Sequence, residues 1–213
     1  MKLKRFPLGM LWTNCYVVSS SSGETVVVDP GGPTEEVRAY LEQEKLSLEW
    51  VLLTHGHGDH ILGVGELHGL AKKGVAISEE DADCLTSASQ NLSQHMGQAA
   101  SFPPAEHMLR DGEKIAVGGM TIEVIHTPGH TPGCCCFYVT EGEEDAEKIL
   151  LSGDTLFARS VGRSDLPGGD EGTLIHSLEK LARFPDSLRV YPGHGPDTTI
   201  GDERNLNPFW PRT

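Results

Sequence analysis

Two short β-branched runs stand near the start of the chain, Asn14 to Val18 and Thr25 to Asp29, separated by the turn-forming stretch Ser19-Ser20-Ser21-Ser22-Gly23. They predict a hairpin. Past Asp29-Pro30-Gly31-Gly32, Pro33 stands where a helix can start, and Val37, Tyr40 and Leu41 recur at helical spacing. Trp50 to Thr54 is a nearly continuous apolar run of strand length, the pattern of a buried strand. Asp59 to Lys73 then reads as a helix with Ile61, Leu62, Leu67 and Leu70 as its apolar positions, against the cost of Gly63, Gly65 and Gly69. Val75 to Ser78 reads as a strand, and residues 79–97 as a polar helix or an ordered loop.

Three further strand-like runs follow: Lys114 to Val117, Met120 to His126 and Cys134 to Thr140, with Gly118-Gly119 marking a tight turn. An acidic loop, Glu141 to Glu147, precedes a strand over Lys148 to Ser152. Thr173 is placed to cap a helix whose Leu174, Leu178 and Leu181 face inward, before a last strand at Leu188 to Tyr191. Strand runs mixed with single helices, without a visible repeat or linker, predict one layered α/β domain over residues 1–213.

No apolar run approaches the roughly 18 residues of a membrane span, and Met1-Lys2-Leu3-Lys4-Arg5-Phe6-Pro7 lacks the apolar stretch of a secretory signal. A cytoplasmic location is the default expectation. The five cysteines, three of them adjacent at Cys134, Cys135 and Cys136, do not form a disulfide pattern and read as small buried residues pointing to alternate faces of a strand. A formal charge of −14 opposes attraction to nucleic acid or to an anionic membrane, so neither is expected as a partner.

Directly after the buried strand comes Thr54-His55-Gly56-His57-Gly58-Asp59-His60. With 10 histidines in 213 residues, chance gives roughly one such H-x-H-x-D-H per thousand chains. Imidazole nitrogen and carboxylate oxygen suit zinc, iron or manganese, and alternate residues of an extended segment let His55 and His57 converge on one ion while Asp59 and His60 face a second. Gly56 and Gly58 permit the tight backbone path. Because each ion takes about three protein ligands and keeps an open position, more ligands are expected downstream. His130 in His126-Thr127-Pro128-Gly129-His130, Asp154 in Ser152-Gly153-Asp154-Thr155 and His194 in Pro192-Gly193-His194-Gly195 each stand beside glycine at a strand-to-loop junction.

This set resembles the metallo-β-lactamase superfamily and, within it, the glyoxalase II (hydroxyacylglutathione hydrolase) group. The likeness runs from Asn14-Cys15-Tyr16 through Asp29-Pro30-Gly31 to Pro192-Gly193-His194-Gly195-Pro196, and includes Gly153 to Asp165 and Thr198 to Phe209. The resemblance implies a four-layer αββα sandwich. It also implies two divalent metal ions, zinc first with iron or manganese as alternatives: one held by His55, His57 and His130, the other by Asp59, His60 and His194, with Asp154 bridging. The implied reaction is cleavage of a small-molecule thioester, such as a glutathione conjugate, to a hydroxy acid and a free thiol by metal-bound hydroxide, with Asp59 orienting or accepting a proton. The chain is similar to the short bacterial form, without the helical C-terminal domain of longer glyoxalase II enzymes.

The rival expectation is a persulfide dioxygenase with one iron bound by two histidines and an aspartate, whose motif overlaps this one. His68, His95, His107 and His176 read as surface or structural residues, and His126 as a group just behind the ligands. Arg159 and Arg163 are candidates for meeting substrate, with pairing to nearby carboxylates such as Asp165 the favoured alternative.

Overall fold

A computed structural model describes residues 1–142 and 147–211. The first half of the chain builds one six-stranded sheet from β1 (Lys2–Leu8), β2 (Thr13–Ser19) and β3 (Glu24–Val28), then, after helix α1 (Glu35–Gln43), β4 (Ser47–Leu52). Two one-turn helices follow, α2 (Gly58–Ile61) and α3 (Val64–Leu67), before β5 (Val75–Ser78), helix α4 (Ala82–Thr86) and β6 (His107–Leu109). The strands lie in sequence order, antiparallel from β1 to β3 and parallel from β3 to β6.

The second sheet is built from β7 (Lys114–Val117), β8 (Met120–His126), β9 (Cys135–Glu141) and β10 (Lys148–Gly153). A small hairpin, β11 (Leu156–Phe157) and β12 (Ser160–Val161), and helix α5 (Glu171–Leu181) intervene before β13 (Arg189–Pro192), β14 (Thr198–Thr199) and helix α6 (Ile200–Leu206). Its order is β14-β13-β10-β9-β8-β7, with only the β10–β13 pair parallel. The fold is thus α/β, with two mixed sheets face to face and helices outside each.

Side-chain alternation makes these layers. Val26 and Val28 of β3 and Cys135, Phe137 and Val139 of β9 fill the space between the sheets, while Val27 turns outward toward Val37, Leu41, Ile61 and Leu67. Cys136 turns the other way, into the cluster of Leu178, Leu181 and Ile200 under α5 and α6. The alternate-face reading of the cysteines therefore holds for Cys135 and Cys136, and Cys134 is buried as well. Each fully buried side chain of the size of Leu52 or Phe137 contributes about 1.5–3 kcal/mol of hydrophobic stabilisation.

Several expectations need correction. Asp59 to Lys73 is two separate turns of helix, because the Gly63 N–H turns away to donate to the Pro30 carbonyl at 2.7 Å. A side chain there would lie 2.3 Å from the Gly32 oxygen, so the break is a close approach between segments far apart in sequence. Leu70, one of the apolar positions of that expected helix, is exposed. Of the two alternatives read for residues 79–97, a polar helix or an ordered loop, the single helix is not formed: the short helix α4 lies between two 3-10 turns, Glu79–Asp81 and Ser93–Met96. The cap of α5 is Asp170, whose side chain accepts from the Thr173 N–H, rather than Thr173 itself. Of the acidic loop, residues 143–146 lie outside the described residues. Among the described residues, no helix is long and apolar enough to cross a membrane.

Candidate metal centre

The site lies where the strands of both sheets end. His55, His57 and the start of α2 follow β4, His130 lies between β8 and β9, Asp154 follows β10, and His194 follows β13. Backbone bonds lock these ends together: the Cys135 N–H donates to the Thr54 carbonyl at 2.8 Å, and the Asn14 N–H to the Gly193 carbonyl at 2.7 Å. Asn14 Nδ2 and Tyr16 Oη both reach the Pro192 carbonyl, at 2.9 and 2.8 Å. The fold therefore brings all seven sequence-predicted residues to one place.

Three donor groups form there: His55, His57 and His130; His55, His60 and Asp154; and Asp59, His60 and His194, each with its ligand atoms within 4.8 Å of one another. A tetrahedral zinc ion with bonds of about 2.0–2.1 Å separates neighbouring donors by about 3.4 Å, so these sets are of the right size. Asp154 stands between the outer two, its Oδ1 3.4 Å from His60 Nε2 and its Oδ2 3.5 Å from His130 Nε2 and 3.7 Å from His194 Nε2. His57 Nδ1 and His130 Nε2 approach to 2.9 Å.

Four imidazoles are oriented in one way. The Nδ1 of His55 meets Thr54 Oγ1 at 3.1 Å, that of His60 meets Asp29 Oδ2 at 3.0 Å, that of His130 meets the Arg163 carbonyl at 2.7 Å, and that of His194 meets the Leu11 carbonyl at 3.2 Å. The two carbonyls accept only, so His130 and His194 carry a proton on Nδ1 and point Nε2 inward, where it can coordinate an ion once it is unprotonated. Thr54 Oγ1 already donates to Asp29 Oδ2 at 2.6 Å, so it accepts from His55 and fixes the same tautomer.

The buried atoms His55 Nε2, His60 Nε2 and Asp154 Oδ1 have no hydrogen-bond partner among the described residues. Buried polar groups are normally paired, so three orphans converging on one point fit a cation that accepts their lone pairs. The titration behaviour agrees. Burial and the neighbouring imidazoles hold His55 well below its ordinary range, and burial with His130 lowers His57 to about 4. Burial opposes charge on His60 too, but Asp154, Asp59 and Asp29 outweigh it and raise its pKa, while the bond to Asp59 raises that of His194. Burial would raise the carboxyls of Asp59 and Asp154, and the surrounding imidazoles override it and hold both low.

Residues 9–194 match the metallo-beta-lactamase superfamily. The chain belongs to that superfamily. An uncharacterized Mycobacterium tuberculosis protein is 39% identical over 98% of this chain and 97% of its own length. The hydroxyacylglutathione hydrolase GloC of Haemophilus influenzae is 33% identical over 98% of each. Among solved structures, the BLEG-1 B3 metallo-beta-lactamase is 37% identical with a TM-score of 0.89, covering 98% of this chain and 99% of its own. TTHA1623, solved in a di-iron-bound form, is 36% identical with a TM-score of 0.83, covering 97% and 99%. ETHE1 from Myxococcus xanthus is 27% identical with a TM-score of 0.75, covering 98% and 84%.

Within this metallo-beta-lactamase fold the remaining candidates fall elsewhere. The Arg163 side chain forms a two-point pair with Asp165, 2.7 Å at both contacts, and it is the Arg163 backbone carbonyl that serves the site through His130. Arg159 occupies an exposed turn with φ of 61° and is tied by its backbone N–H to Glu203. His126 bonds the Pro132 carbonyl at 2.9 Å and, among the described residues, makes no hydrogen bond to any of the seven, so no bond of the kind expected of a group just behind the ligands joins it to them. Gly56 keeps an ordinary backbone, and what requires glycine there is space: a side-chain carbon would lie 2.3 Å from Cys84 Cβ. The sequence reading left Asp29, Thr54 and Thr13 without a role, although Asp29 ends a strand and precedes Pro-Gly-Gly, a signal of a residue held at the sheet's functional end.

Proposed function

We propose that this superfamily member is a dinuclear metal-dependent hydrolase that cleaves a small-molecule thioester, such as S-lactoylglutathione, to a hydroxy acid and a free thiol. The observation that carries the reading is the pair of separate triads, His55/His57/His130 and Asp59/His60/His194, on either side of Asp154. A single iron held by two histidines and a carboxylate would leave three of the five imidazoles unused. The likeness to GloC supports a glutathione thioester as substrate. Five free thiols fit a reducing, cytoplasmic setting.

When bound, two divalent cations supply Lewis acidity and bring the pKa of water from 15.7 to about 7. The chain's own residues then favour a leaving group that departs without a proton. Neither Asp59 nor Asp154 is raised into the range of a general acid, since both are held low by the imidazoles around them. A thiolate, whose conjugate acid has a pKa near 8.5, leaves unassisted where an amide nitrogen does not. Asp59 is fixed by Thr13 Oγ1 at 3.2 Å and by His194 Nε2 at 3.2 Å, beside the exposed turn of Met10, Leu11 and Trp12. There it orients the attacking water and takes its proton only transiently.

The test is thiol release from S-lactoylglutathione by metal-loaded protein, beside His57→Ala, with metal content and oxygen uptake measured on the same samples. About two metals per chain and thiol release lost in the variant are expected. One iron per chain, with oxygen consumed on a glutathione persulfide and no thioester cleavage, would overturn the reading in favour of a dioxygenase.

A further inference from the structure

Asp81 closes the 3-10 turn after β5 and stands at the amino end of α4, yet its carboxylate makes no bond to that helix. Asp at such a position ordinarily accepts from the helix's own first N–H groups. Here the side chain is 1% exposed and reaches away into the metal centre's framework. Oδ2 accepts from the Gly56 N–H at 2.9 Å and from Thr131 Oγ1 at 2.7 Å, and Oδ1 accepts from the Gly133 N–H at 2.8 Å.

Gly56 lies between His55 and His57, and Thr131 is the next residue after His130. One buried carboxylate therefore spans the two loops that carry His55, His57 and His130. The residues of the other triad are held by different groups: Asp59 by Thr13, His60 by Asp29 and His194 by the Leu11 carbonyl. No Lys, Arg or His hydrogen-bonds Asp81 among the described residues, so its negative charge is matched only by these three dipoles and by whatever cation the adjoining histidines hold.

We propose that Asp81 is a positioning residue for the His55/His57/His130 triad, setting the spacing at which the two loops share one metal ion. The inference rests on the metal centre read above. It makes the two triads separable: loss of Asp81 acts on one and spares the other. In Asp81→Asn one oxygen becomes an amide nitrogen, which must face either the Gly133 or the Gly56 N–H, donor against donor. The loops then move apart while the volume of the side chain is kept.

Zinc titration of metal-stripped protein by calorimetry tests this, with His57→Ala defining the first triad and His194→Ala the second. Asp81→Asn is expected to weaken, by about 10–100-fold, the binding class that His57→Ala removes, and to leave the class that His194→Ala removes unchanged. Thr131→Val, which deletes one of the three bonds without changing side-chain size, should weaken the same class to a smaller extent and covers the case in which Asp81→Asn does not fold. A purely structural Asp81 would lower the melting temperature of both variants with the two affinities intact, or reduce them equally, and either result overturns the proposal. If the parent protein binds no zinc in either class, it is the metal-centre reading that fails, whatever the variants do.

Discussion

The Nδ1 of His60 lies 3.0 Å from Asp29 Oδ2, which simultaneously accepts from Thr54 Oγ1 at 2.6 Å. Asp29 Oδ1 takes the Thr54 N–H at 2.8 Å, so the carboxylate receives three donors and is 2% exposed. Its backbone has φ of 52°, a left-handed conformation that Asp and Asn tolerate better than most residues. One side chain thus orients His60 directly and His55 through the Thr54 hydroxyl, and both rings turn Nε2 to the same centre.

Asp29→Asn keeps the shape and the backbone preference but replaces one acceptor by a donor. With nitrogen at the Oδ2 position, His60 loses the acceptor for its Nδ1–H, and the ring shifts to the tautomer whose Nε2 is protonated and closed to a metal. With nitrogen at the Oδ1 position, two N–H groups face each other. The expected outcome is a loss of about 1–3 kcal/mol in stability by denaturant unfolding. A weakening of about 10–100-fold in zinc affinity on the Asp59/His60/His194 side should accompany it. Unaltered zinc binding would show that Asp29 serves the sheet end alone.

How much of this was legible in the sequence depended on whether the determinant was local. The His55 to His60 cluster was legible because its residue types are improbable at that density, and His130, Asp154 and His194 because each sits beside glycine where a strand pattern stops. Strand β1 was not: it lies at a sheet edge with Pro7 inside it and a mostly exposed pattern, and only its pairing with β2 makes it a strand. The break at Gly63 and the requirement at Gly56 are contacts with Gly32 and Cys84, which no window of the chain displays. Asp81 is the extreme case. In Glu79-Glu80-Asp81-Ala82-Asp83 it looks like one more solvated acid, and only the return of the 131–133 loop over it makes it central.

The cysteines give a second prediction. Cys15, Cys134, Cys135 and Cys136 are buried and Cys84 half-buried, and all five are free. Burial pushes the Cys136 thiol up to about 11, and burial with the nearby Asp81 and Asp83 pushes Cys84 up to about 12. Only the thiolate attacks an alkylating agent or a disulfide reagent, so at pH 8 both side chains are overwhelmingly in the unreactive form. Titration of the native protein with a chromogenic disulfide reagent should show no fast-reacting thiol at pH 8, and all five after unfolding in denaturant. A fast stoichiometric reaction in the native state would mean that one of these sulfurs is more open than its surroundings imply.

The two triads should also part with metal at different pH. Before a metal binds, His60 and His194 have raised pKa values, whereas burial holds His55 well below its ordinary range and His57 at about 4. A raised pKa means that the proton is given up at higher pH than from an ordinary imidazole and, where it is still present, must be displaced when the ion arrives. Affinity at Asp59/His60/His194 therefore strengthens as pH rises and falls by about tenfold per unit for each proton displaced as pH drops. The lowered pKa values of His55 and His57, about 4 for the latter, mean that these two rings lose their protons at lower pH than ordinary imidazoles, so binding through them is less sensitive to a fall in pH. Dialysis of zinc-loaded protein from about pH 8 to about pH 5.5 should then take the metal content from about two per chain toward about one. The remaining ion should be the one that His57→Ala abolishes. Simultaneous loss of both ions over a single pH transition would show that Asp154 couples the two halves into one site, and that the separation of the triads is geometric only.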